Sequence, residues 1–145
     1  MKAWSATTPI GPEWSSGVLV QAQRAARVLT RRFDSALQPT GINSGQVSLL
    51  MSIDQAKSPS LGAIAALLAM DRTTVTANLK PLERRKLVRT TIDERDGRVR
   101  ILALTPEGRA VLAEALPIWL RLHSAIEARL AEPMRLKADL SLLSE

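Results

Sequence analysis

The chain has 145 residues, enough for one domain with a real core, and its 46% hydrophobic and 23% charged content is that of an ordinary soluble globular protein. It has no cysteine, which excludes disulfides, thiolate metal sites and thiol redox switches, and no apolar run approaches the ~20 residues of a membrane helix. The net charge of +6 and a pI near 10.7 favour an acidic partner, either nucleic acid or an anionic surface.

Residues 1–15 carry Pro9, Gly11 and Pro12 without an apolar period, so they read as an irregular arm with Trp4 and Trp14 set to tuck onto a neighbouring surface. The start lacks a basic stretch followed by an apolar core, so no secretory signal is expected, and a reducing cytoplasm is compatible with the absence of cysteine. From Ser16 a helical period begins: Val18, Ala22, Ala25, Leu29, Phe33 and Leu37 fall three or four apart, and Pro39 with Gly41 ends the helix. So long a helix needs partners along its length, and a second subunit is one source.

Ser44 is expected to cap a second helix running to about Ile53, with Val47, Leu50 and Met51 inward. Lys57-Ser58-Pro59 reads as a loop. Ser60 opens a short helix with Leu61, Ile64, Ala65 and Leu68 on one side, and a tight Ala69-Met70 connection leads to Asp71, a good N-cap. The helix that follows, about 71–86, is the informative one. Taking Val75 as reference, Leu79 and Leu82 lie within about 40° of it at about 100° per residue, so all three must face the core. Thr73, Ala77, Lys80 and Arg84 cluster on the opposite face with Thr76 beside them, and Pro81 predicts a kink or a shortened helix.

Two β-rich runs, Leu87–Ile92 and Val99–Leu104, flank a polar turn through Asp96-Gly97 and predict a hairpin. Alternation places Val99, Ile101 and Ala103 on an apolar side and Arg98, Arg100 and Leu102 on the other. Asp93 and Asp96 are placed to clamp the neighbouring arginines and orient the tip. Thr105 caps the next helix with Pro106 at its first position, where a missing N–H costs nothing. That helix runs through Leu112, Leu116, Trp119 and Leu122 past Pro117, and a last apolar helical segment spans Ile126 to Leu143, interrupted near Pro133.

Residues 71–100 hold nine basic groups against five acids, so most of the excess charge lies in about a fifth of the chain. Helix, short turn, helix, then basic hairpin is the order of a winged helix-turn-helix. A major groove admits one α-helix whose early residues reach base edges, and threonine offers both a hydroxyl and a methyl there. Lys80, Arg84 and Arg85 are candidates to hold phosphates, and arginines near a hairpin tip suit phosphates or a narrow minor groove. His123, the only histidine, has no Cys or paired carboxylate at ligand spacing and reads as a surface or interface residue. No phosphate loop, catalytic triad or metal cluster is visible, so neither an enzyme nor a cofactor is expected.

The stretch SLGAIAALLAMDRTTVTANLKPLERRKLVRTTIDERDGRVRILALTPEG, residues 60–108, resembles the MarR family of bacterial transcriptional regulators. The motifs carrying the resemblance are MDRTTVT, LERRKLV, DERDGR at the hairpin tip and LTPEG after it; with the flanking helices it covers about 16–143. It implies a mainly α fold with a small β-wing, a winged helix-turn-helix lobe at about 44–104 flanked by dimerisation helices at about 16–38 and 105–143. It further implies a cytoplasmic homodimer whose two recognition helices read a pseudo-palindromic operator on double-stranded DNA. In that family repression is common, as is release by a small aromatic ligand. The implied DNA-binding residues are Arg72, Thr73, Thr74, Thr76, Ala77, Lys80, Arg84, Arg95, Arg98 and Arg100, and the implied ligand cleft is lined by Trp14, Phe33, Leu37 and Met51.

Two residues depart from the family pattern. Ala77 stands where many relatives have a basic residue. Lys86 stands where glycine is usual, at a helix end that tends to need positive φ, so either strain or a different helix end is expected. These departures keep open a protein-interaction or ligand-sequestering module on the same scaffold. A chromatin-type protein without sequence preference is the other alternative, and the ratio of specific to non-specific affinity separates it.

Overall fold

The computed structural model describes residues 15–145. Trp4 and Trp14 therefore lie outside the described residues. In order, the elements are α1 (Val18–Leu37), a 3-10 turn (Gln38–Thr40), α2 (Ser44–Ala56), α3 (Leu61–Leu67), α4 (Arg72–Arg84), β1 (Val88–Ile92), β2 (Arg100–Leu104), α5 (Pro106–Glu127) and α6 (Pro133–Leu142). This is the expected mainly α fold with one small antiparallel sheet.

Two compact units divide at Arg32 and Phe33, so α1 starts in the first and ends in the second. In the first, the Gln21 side-chain amide donates to the Ser15 carbonyl at 2.6 Å, and the Gln21 backbone N–H donates to Gly17 at 3.1 Å. Thr30 bonds back to the Ala26 carbonyl at 2.7 Å, a local contact that keeps its hydroxyl satisfied within the helix.

The second unit holds the core. Leu37, Val47, Leu50, Ile64, Val75, Leu82 and Leu102 are completely buried, drawn from five helices or strands that meet there. Met51, expected inward with Val47 and Leu50, is half-buried and packs against this cluster. Burying each Leu or Val contributes about 2 kcal/mol, an upper figure because the unfolded chain already shields part of that surface.

Asn43, one residue before the expected Ser44, caps α2. Its side chain accepts the Gln46 backbone N–H at 2.9 Å while the Gln46 side chain accepts the Asn43 backbone N–H at 3.0 Å. That reciprocal pair satisfies two otherwise orphan donors, which a Ser44 cap with Val47 three residues on could not do. Ser44 instead gives its own backbone N–H to the Asp34 carboxylate at 2.7 Å.

The faces of β2 also differ from the simple alternation. Leu102 and Leu104 are the buried residues, while Val99, Ile101 and Ala103 are half-buried. Arg98 and Arg100 share the parity of the core leucines but lie beyond the core, where the strand runs out into the wing. The inner end is held by the Leu102 N–H donating to the Pro59 carbonyl at 2.9 Å and by a bridge between Ser60 and Ile101.

Candidate nucleic-acid interface

The helix-turn-helix is built from local caps. Ser60 accepts the Ala63 N–H at 3.1 Å and starts α3. At its end the Met70 N–H reaches the Ala65 carbonyl and the Ala69 N–H reaches Ala66, with Ala69 left-handed at φ 51°. Asp71 then caps α4, accepting the Thr74 N–H at 2.7 Å and the Thr74 hydroxyl at 3.0 Å. Those two bonds, the backbone one first, hold the Asp71 carboxyl below the usual carboxylate range.

Val75, Leu79 and Leu82 are buried as their spacing requires. The opposite face of α4 is therefore outward: Thr73, Ala77, Lys80 and Arg84 are exposed, with Thr76 half-buried beside them. Thr74 is exposed, but its hydroxyl is committed to the cap. The helix runs through Pro81 and stops at Arg84, shorter than the expected 71–86.

The end of α4 is a Schellman turn: the Leu87 N–H donates to Leu82 and the Lys86 N–H to Glu83, both at 2.9 Å. Lys86 occupies the left-handed position at φ 57°, so this helix end keeps the geometry of a glycine cap and carries strain. Arg85, read from sequence as a phosphate holder, instead donates to the Gly41 carbonyl at 2.6 Å and anchors α4 to the turn before α2. Gly41 is left-handed at φ 74° and has the Arg85 guanidinium 3.3 Å from where a Cβ would stand.

The wing pairs Val88 with Leu104 through Ile92 with Arg100. Thr90 donates its hydroxyl to the Glu83 carboxylate and fastens β1 to α4. At the tip, Asp96 accepts both the Arg98 backbone N–H at 3.0 Å and its guanidinium at 3.2 Å. The guanidinium first, then the backbone N–H, lower the Asp96 carboxyl below its ordinary value. Asp93 accepts the backbone N–H of Arg95 at 3.0 Å, so it shapes the turn and leaves that guanidinium outward. Arg95, Arg98 and Arg100 are all exposed, Arg98 with 92% of its side chain accessible.

The LTPEG segment explains itself at the wing base. Thr105 caps α5 through the Gly108 N–H at 3.0 Å, and its own N–H donates to Leu87 at 3.1 Å. A Cβ on Gly108 would stand 2.0 Å from the Leu87 carbonyl oxygen, so only glycine lets the two backbones approach this closely.

Of the residues assigned to a ligand cleft, Phe33, Leu37 and Met51 lie elsewhere in the second unit. Phe33 is 7% exposed and Leu37 fully buried, and both belong to the core with Met51 packed against it. Trp14 lies outside the described residues. Sequence reasoning missed what surrounds Phe33: its ring lies 4.6 Å from Trp119 and 5.0 Å from His123, and Nδ1 of His123 is buried without a hydrogen-bond partner among the described residues. Among the described residues no group of three or more His, Cys, Asp or Glu is placed to hold a metal ion, and no helix is long and apolar enough to cross a membrane.

Residues 42–99 match the model of the MarR family. The Mycobacterium tuberculosis transcriptional regulator MosR in complex with DNA is similar at 32% identity and TM-score 0.82, over 88% of this chain and 93% of that one. MosR alone is similar at 30% identity and TM-score 0.80, over 90% of this chain and 94% of that one. The transcriptional repressor CouR bound to a 23-mer DNA duplex is similar at 28% identity and TM-score 0.76, over 94% of this chain and 97% of that one. No curated protein sequence matches the chain.

Proposed function

The chain belongs to the MarR family of transcriptional regulators, and from that premise we propose that it is a cytoplasmic repressor that binds a pseudo-palindromic operator as a homodimer. One observation carries the reading. The outer face of α4 is free along Thr73, Ala77, Lys80 and Arg84 while its inner face is locked by Val75, Leu79 and Leu82, and the exposed Arg95 and Arg98 sit on a wing fastened to that same helix. A helix fixed on one side and bare on the other is what a major groove accepts. Thr73, Thr76 and Ala77 face base edges in this reading. Lys80, Arg84, Arg95 and Arg98 meet the backbone and set the register.

The dimer reading rests on apolar surface left exposed among the described residues. None of α6 is buried, and Met134, Leu136, Leu140, Leu142 and Leu143 are exposed. A monomer that leaves such a run in water pays in solubility, and a second copy would cover it.

Release by a small aromatic ligand is the finer part of the proposal. The rings of Phe33 and Trp119 with the unpartnered Nδ1 of His123 offer stacking and one polar handle, beside Leu37 and Met51. Titration with salicylate or p-coumarate that leaves DNA affinity unchanged would remove this part alone.

The test of the whole is binding to duplexes from the chain's own upstream DNA and to scrambled duplexes of equal length, across salt concentrations. A specific dimer should prefer one site by about a thousandfold or more, lose affinity steeply with salt and protect a two-fold symmetric footprint. Equal affinity for every duplex sinks the operator claim.

A further inference from the structure

Arg72, the first residue of α4, does not join the outward face of that helix. Its guanidinium folds back over α3, so closely that a Cβ on Gly62 would stand 2.8 Å from Nη2 and 3.5 Å from Cζ. Gly62 is what leaves room for it. The guanidinium thereby lines a cleft of 330 Å³ between the start of α3, the first turns of α4 and the wing, with Thr76, Arg98 and Arg100 on the other walls. Three arginines from α4 and the wing, with Thr76, thus line one cleft.

Two of the three charges are not neutralised. Arg98 is paired with Asp96. The side chains of Arg72 and Arg100 have neither an ion-pair nor a hydrogen-bond partner among the described residues. The nearest carboxylate along the chain, Asp71, is already occupied by both Thr74 donors. Two unpaired arginines beside one cleft repel each other unless an anion lies between them, and a planar guanidinium offers the paired donors that a phosphate takes bidentately.

We propose that this cleft is a phosphate seat, built by Arg72 and Arg100 with Thr76 donating a third bond, in which one phosphate group ties the recognition helix to the wing. This rests on the operator-binding reading for its source: a backbone phosphodiester of the duplex. A free oligophosphate has the same chemistry and would compete for the seat. Arg72 is then a phosphate holder that carries no base information, although it stands at the tip of the recognition helix.

The test uses the full chain and three variants, Arg72→Gln, Arg100→Gln and Gly62→Ala, the last of which displaces the guanidinium without changing charge. Tripolyphosphate binding is measured by calorimetry without DNA, and the salt dependence of affinity is measured on operator and scrambled duplexes. Each arginine variant is expected to weaken tripolyphosphate about tenfold, and Gly62→Ala several-fold. Each arginine variant should also lower the salt slope by about one, equally on both duplexes. A slope change without measurable tripolyphosphate binding supports the seat and assigns it to the duplex alone. Weakened tripolyphosphate with unchanged slopes supports the seat and assigns it to a free oligophosphate. Weakened tripolyphosphate in a chain that prefers no duplex supports the seat and refutes the operator reading. Parent-like tripolyphosphate affinity together with parent-like slopes in both arginine variants overturns the proposal.

Discussion

The hydroxyl of Thr105 donates to the carbonyl of Lys86 at 2.6 Å, across 19 residues of chain. The same oxygen accepts the Gly108 N–H that starts α5. One side chain thus closes the recognition helix, the base of the wing and the next helix into a single joint. Thr105→Val removes both bonds while keeping the shape. It should cost about 2 kcal/mol, the sum expected for a lost cap and a lost hydrogen bond. Urea unfolding checks this, and Thr105→Ser should recover most of the loss.

Gly108 lies under the same joint, and its neighbour is backbone. A Cβ there would stand 2.0 Å from the Leu87 oxygen and 3.0 Å from its carbon. No rotamer relieves that contact, so α5 must move off the wing base. Gly108→Ala should cost about 3 kcal/mol or more, well above an ordinary glycine-to-alanine change in a helix. Denaturant titration gives the number. A loss under about 1 kcal/mol would mean the joint has slack.

Three helix ends close on residues that resist the left-handed conformation they adopt, Lys57 at φ 50° after α2, Ala69 at φ 51° and Lys86 at φ 57°, and the last two flank the recognition helix. The Cβ penalty there is about 1–2 kcal/mol, and glycine's greater freedom in the unfolded chain returns about half of it. Ala69→Gly and Lys86→Gly are each expected to stabilise the protein by about 0.5–1 kcal/mol. The midpoint in urea should rise with an unchanged slope. A fall in midpoint for Lys86→Gly would mean that the lysine side chain makes up for its backbone.

The Thr74 backbone N–H, and after it the Thr74 hydroxyl, depress the Asp71 carboxyl. A carboxyl with a lowered folded pKa stabilises the fold above its unfolded value of about 3.9 and loses that contribution as pH falls through the folded value. Asp71→Asn keeps a capping oxygen but cannot titrate. Its stability should fall less steeply than the parent's between about pH 5 and pH 2. Parallel acid limbs would remove Asp71 from the acid sensitivity of the fold.

What the sequence made legible was local. The caps at Ser60, Asp71 and Thr105 and the buried stripe of α4 each depend on residues within one or two turns, and all stand where the spacing put them. The departure at Lys86 was also readable, because a cap position names its own φ. Distant contacts were not. Arg85 meets Gly41 across 44 residues, and nothing near either predicts it. The parity of β2 failed because the core ends partway along the strand, so Arg100 and Leu102 share a side but not an environment. Gly62 gave no signal until Arg72 was found lying over it.

The neighbouring threonines of α4 divide their work. Thr74 spends its hydroxyl on Asp71 at 3.0 Å, whereas Thr73 is exposed with no such bond. Thr74→Ala should therefore lower stability by about 0.5–1 kcal/mol, the net worth of one hydrogen bond, and leave sequence preference as it was. Thr73→Ala should leave stability within about 0.5 kcal/mol, as exposed substitutions do. On DNA it should relax discrimination at one base pair by about 1–3 kcal/mol, because a base-edge contact is lost while the phosphate contacts stay. Competition binding against single-base operator variants, run beside urea unfolding, separates the two roles. A uniform loss of affinity across all duplexes for Thr73→Ala would place that hydroxyl on a phosphate, since a phosphate contact weakens every sequence alike.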